Sequence, residues 1–64
     1  MYLWDCYAVS VDYDPTGLVV ARDEEAAIEK FKNQLAEAHI WHGSVSAEKV
    51  DEIGGYKITL TKVK

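Results

Sequence analysis

Sixty-four residues place this chain near the lower limit for a domain that folds alone, where only ~60% of the unfolded surface can be buried. Its hydrophobic content of 48%, with four tyrosines, two tryptophans and one phenylalanine, belongs to a folded protein rather than a disordered tail. The single cysteine excludes an internal disulfide, no window reaches the ~20 apolar residues of a membrane helix, and a net charge of −4 argues against direct nucleic-acid binding, which draws on clustered Lys and Arg.

A single small domain over residues 1–64 is expected. The first residues lack a basic region and Asp5 interrupts the first apolar stretch, so no secretory signal is read, and a cytoplasmic location is expected. Charge is unevenly spread: residues 1–29 carry seven acids against Arg22 alone, while residues 30–64 carry four acids against six lysines. A C-terminal strand lying beside the N-terminal one would balance the two.

The first strand is expected over residues 2–13. Strand residues alternate faces, and here both faces are apolar: Leu3, Tyr7, Val9, Val11 and Tyr13 on one, Tyr2, Trp4, Cys6 and Ala8 on the other. Asp14-Pro15-Thr16-Gly17 then reads as a type I turn closed by Gly17 in a left-handed conformation, a three-residue hairpin loop. That turn pairs Asp14 with Leu18, Tyr13 with Val19 and Val11 with Ala21. Val9, Val11, Tyr13, Val19 and Ala21 then face the core. Leu18, Val20 and Arg22 share the open face with Asp12 and Asp14, and the phase carries Tyr2, Trp4 and Cys6 there too. A bulge near Cys6–Ala8 would reverse the last assignment and release Asp5 from the core side.

A helix is expected over about 23–39. Asp23 is suited to cap it, Glu24 and Glu25 complement its positive end, and Ala27, Ile28, Phe31, Leu35 and Ala38 form an apolar stripe. Gly43 is read as the turn or cap residue after it. Residues 45–53 fit a strand better than a short helix capped by Ser46. Gly54-Gly55 between Ile53 and Tyr56 is a hairpin signal that sets Glu52 across from Lys57. In the last strand Tyr56, Ile58 and Leu60 alternate with Lys57, Thr59 and Thr61, and the first set is expected to face the helix. The fold class is therefore α+β, ordered ββαββ, with one amphipathic helix on one face of a three- or four-stranded, mainly antiparallel sheet.

Reactive residue types are present without the spacing that chemistry requires. His39 and His42 could share a metal, but no third ligand is placed beside them. Cys6 has no orienting partner or oxyanion site in view. Asp23, Glu24 and Glu25 are explained by capping, and Asp12 and Asp14 by the turn. Gly54-Gly55 lacks the strand–loop–helix setting and lysine of a phosphate loop. No catalytic, metal or cofactor residue is assigned, and no cofactor is expected.

Trp and Tyr dominate interface hot spots, so the expected function is non-catalytic: a protein-interaction module that self-associates as a homodimer or binds a protein partner. Its surface is expected on the helix-free sheet face, around Tyr2, Trp4, Leu18 and Val20. The alternative is a small acidic inhibitor of phage or mobile-element type that occupies the cleft of a nucleic-acid-binding protein. Asp12, Asp14, Asp23, Glu24 and Glu25 would then stand in for phosphates.

Overall fold

A computed structural model describes residues 1–63. Its elements in chain order are β1 (Tyr2–Ala8), β2 (Thr16–Ala21), α1 (Glu24–Glu37), β3 (Val45–Val50), β4 (Glu52–Ile53) and β5 (Tyr56–Lys57). β1 is the centre of a three-stranded sheet ordered β2-β1-β3 and runs antiparallel to both neighbours. α1 links the two outer strands and packs against all three, which makes the α+β arrangement expected from the sequence.

The helix starts where its chemistry says it should. Asp23 is extended, and its side chain accepts a 2.8 Å hydrogen bond from the Ala26 amide, with Glu24 and Glu25 in the first turn. It stops at Ala38 through a device that Gly43 does not supply. The His39 amide donates to Ala36 and the Ile40 amide to Leu35, the paired bonds of a Schellman ending. His39 takes the left-handed position, at φ 58°, where a Cβ crowds the following carbonyl. His39→Gly is therefore expected to stabilise the fold by ~0.5–1 kcal/mol, read as a rise of several degrees in Tm. An unchanged or lower Tm would mean that the cap carries no strain.

Trp4, Cys6 and Ala8 of β1, Val19 and Ala21 of β2, and Ala27, Phe31 and Leu35 of α1 form the core. β2 keeps its expected faces, but β1 is reversed: Trp4 is only 7% exposed. The assignment of Trp4 and Cys6 to the helix-free side is thus corrected. No bulge produces the change, because the pairing runs unbroken from Tyr2↔Ala21 to Tyr7↔Thr16. The strand simply ends at Ala8, and residues 9–15 form a longer loop. Val9, Val11 and Tyr13, expected in the core, are exposed on it.

That loop is held by residues far away in sequence. The Val9 amide donates to the Ser44 carbonyl, the Gly43 amide to the Val9 carbonyl at 2.7 Å, and the Ser10 hydroxyl to the Trp41 carbonyl at 2.6 Å. Gly17, expected to close a tight turn, lies inside β2 opposite Cys6, and its φ is not positive.

Gly54 and Gly55 do turn the β4–β5 hairpin, both at positive φ, with Glu52 opposite Lys57 and Ile53 opposite Tyr56 as expected. This hairpin is a separate two-stranded unit, however, and Tyr56 is 80% exposed rather than facing the helix. The Ile58 amide makes one further bond, to the Asp51 carbonyl. Leu60 then lines a groove with Met1 and Val20.

The ladder also defines the sheet's outer backbone groups. Ala8 donates to Pro15 and Val9 to Ser44, so even residues of β1 bond β2 and odd residues bond β3. By the same alternation Thr16, Leu18 and Val20 of β2, and Val45, Ala47 and Lys49 of β3, turn their backbone groups outward. The Lys30 ammonium reaches from α1 to donate to the Val20 carbonyl.

Candidate functional site

The face of the sheet opposite α1 can be written as three rows, because direct cross-strand partners share a face. Read from β2 through β1 to β3, they are Val20–Leu3–Val50, Leu18–Asp5–Glu48 and Thr16–Tyr7–Ser46. Leu18 is 64% exposed, Tyr7 49% and Val20 41%. Leu3 and Val50 are half-buried and share a groove with Ile58 and Leu60 from the C-terminal segment. The rows through Asp5 and Tyr7 lie open.

Of the four residues expected on this surface, Leu18 and Val20 are there. Trp4 is on the other side, its indole Nε1 donating to the Ala21 carbonyl at 3.0 Å. Tyr2 shares the face of Trp4 at the end of the strand, where the Lys49 ammonium lies 4.1 Å from its ring centroid. Tyr7, Asp5 and Glu48 were missed. Asp5 was the available signal: a carboxylate at an odd position of β1 marks the odd face as the wet one.

The acidic residues are split. Asp12 and Asp14 lie in the loop that leads into β2, whereas Asp23, Glu24 and Glu25 follow its far end. The six residues of β2 hold the two groups ~20 Å apart, so they do not form one run of charge. The Asp14 carboxylate accepts from the Ser10 amide at 3.4 Å, and Asp23 serves as the cap and pairs with Arg22 at 3.6 Å.

Cys6 is fully buried beneath α1, with Sγ 4.0 Å from the Ala27 carbonyl. Burial, and secondarily the Asp5 carboxylate, push its thiol pKa up, the opposite of an activated nucleophile. The neutral thiol is favoured in the fold, so its stability contribution is intact below the unfolded thiol pKa and is lost as pH rises through the folded one. We expect a thiol reagent such as DTNB to label Cys6 only through opening of the fold, with mild denaturant accelerating it steeply. Labelling at the rate of a free thiol in native buffer would contradict the buried position. His39 and His42 flank the loop after α1, and the His42 ring contacts the Gly43 carbonyl. Among the described residues no group of three or more His, Cys, Asp or Glu could hold a metal. No helix of the described residues is long and apolar enough to cross a membrane.

Compared with protein-family models, curated proteins and solved structures, the chain matches none.

Proposed function

We propose that this chain is a non-catalytic protein-interaction module that meets a protein partner through the helix-free face of its sheet. The observation that carries this reading is the pairing of two faces. One buries Trp4, Cys6, Val19 and Ala21 under α1, while the other leaves Leu18, Val20 and Tyr7 exposed as neighbours. Single exposed apolar residues are ordinary, but several grouped on one sheet face, with an aromatic among them, resemble the surfaces that interfaces use.

Substituting Leu18→Ser together with Val20→Ser tests it. Both side chains point away from the core, so the far-UV spectrum is expected to be unchanged and each stability change to stay within about 0.5 kcal/mol. A protein that co-purifies with the tagged wild type should be lost with the variant, and light scattering tells a second copy from a different partner. Equal recovery with both proteins overturns the reading. The acidic-inhibitor alternative differs in its response: Glu24→Lys with Glu25→Lys would remove binding and Leu18→Ser would not. The ~20 Å division of its acids favours the sheet face over it.

A further inference from the structure

We propose that the helix-free face receives an arginine side chain from a short segment of another protein, held between Asp5 and Glu48 with Tyr7 beside it. This rests on the interaction reading above and specifies what the partner brings.

Asp5 and Glu48 are direct cross-strand partners in the middle of that face, which sets their Cβ atoms ~5 Å apart. Like charges so placed destabilise a sheet, and among the described residues no cation lies within ion-pair distance of either carboxylate. Lys57 and Lys62 line the grooves over the neighbouring Val20–Leu3–Val50 row instead. Among the described residues the one ion pair is Arg22 with Asp23. Lys49 lies over Tyr2 on the helix side, and Lys30 bonds the outer backbone of β2. The carboxylates are bordered by exposed Leu18 in their own row and Tyr7 in the next.

A guanidinium suits this setting better than any other natural side chain. Its fork of donors meets carboxylates in two parallel bonds, its flat face stacks on an aromatic ring, and its methylene stem covers apolar surface. A second copy stacked face to face is disfavoured, because it would press the same two carboxylates against their counterparts. The open area is also narrow. Three strands span two gaps of ~4.8 Å, and residues 58–62 flank the Val20–Leu3–Val50 row. A peptide segment fits there more readily than the ~800 Å² per partner of a standard domain interface.

A display library of cyclic peptides, randomised at every position, provides the probe. Winners selected on the wild-type protein are measured by calorimetry against it, against Asp5→Asn/Glu48→Gln and against Leu18→Ser/Val20→Ser. Melting curves first establish that both variants fold, and the amide variant should melt at or above the wild-type temperature. Winners are expected to carry arginine, to bind the amide variant at least tenfold more weakly, and to lose affinity as salt rises. Winners without arginine, or with full affinity for the amide variant, overturn the arginine proposal even where Leu18→Ser/Val20→Ser abolishes binding and upholds the interaction face. Winners indifferent to Leu18→Ser/Val20→Ser overturn the interaction face itself.

Discussion

Trp4→Ala is expected to unfold this protein rather than to impair binding. Truncating a buried tryptophan removes the transfer energy of the ring and leaves a cavity, a loss of ~3–5 kcal/mol. A chain of this length has only ~3–10 kcal/mol of stability in total. The indole also satisfies the Ala21 carbonyl, the last residue of β2 before the helix cap, so the substitution leaves that acceptor without its side-chain donor. Trp4→Phe separates the two effects: it keeps most of the packing, loses the hydrogen bond and should cost ~1 kcal/mol or somewhat more. Trp41 is the internal control, since it is exposed and its contact with Ser10 uses only the backbone carbonyl. Trp41→Ala should therefore change stability by no more than about 0.5 kcal/mol. Thermal melts followed by circular dichroism decide between these. A Trp4→Ala protein with the wild-type Tm would refute the burial of this face of β1.

The second large effect is expected at Gly17. A Cβ built there would stand 2.9 Å from Cε1 of the Phe31 ring and 3.5 Å from Cδ1. Phe31 is itself 2% exposed in the core between helix and sheet, so moving its ring disturbs the packing around it. Gly17→Ala should cost ~1–3 kcal/mol through this overlap, despite the entropy that alanine removes from the unfolded chain. Gly17→Val should be worse, although valine is the better strand former. A double-mutant cycle supplies the proof of cause. In a Phe31→Leu background the ring edge is gone, and Gly17→Ala should then be close to neutral, giving a coupling of 1 kcal/mol or more. Strict additivity would mean that the penalty at Gly17 has nothing to do with Phe31.

These two positions also show which parts of the fold the sequence made legible. The helix was readable because its signals are local: a cap at Asp23, acids in the first turn, and Phe31 and Leu35 at helical spacing. The Gly54-Gly55 hairpin was readable for the same reason, down to the Glu52–Lys57 register. β1 was not, because a strand with apolar residues on both faces gives alternation nothing to lock onto. The nearest phase signal is Asp14-Pro15-Thr16-Gly17, whose composition is that of a tight turn. The loop it belongs to is instead fixed by Trp41, Gly43 and Ser44, some thirty residues further on, and local pattern carries no trace of such bonds. Gly17 consequently looked like a turn glycine, when its lack of a side chain makes room for a ring. On the candidate surface, Leu18 and Val20 were legible because β2 alternates cleanly. Asp5 marks the wet face of β1 by itself, against the phase that a tight turn at Asp14–Gly17 would impose, while Glu48 and Tyr7 join it only through the register of three strands at once. The left-handed His39 had no local mark, since glycine is the usual occupant of that position.

The bond from Lys30 to the Val20 carbonyl has a consequence for the outer edge of β2. β2, Thr16-Gly17-Leu18-Val19-Val20-Ala21, holds no charge and no proline, and lies on the outside of the sheet. Six such residues are the raw material of cross-β fibrils when their outward backbone groups are free to recruit another chain. A helix lysine occupies the Val20 carbonyl at the end of that row, and charged Arg22 and Asp23 follow immediately, so that end of the edge offers another chain less to pair with. The same side chain that reads as a solvated helix residue thus covers part of the sheet's exposed edge.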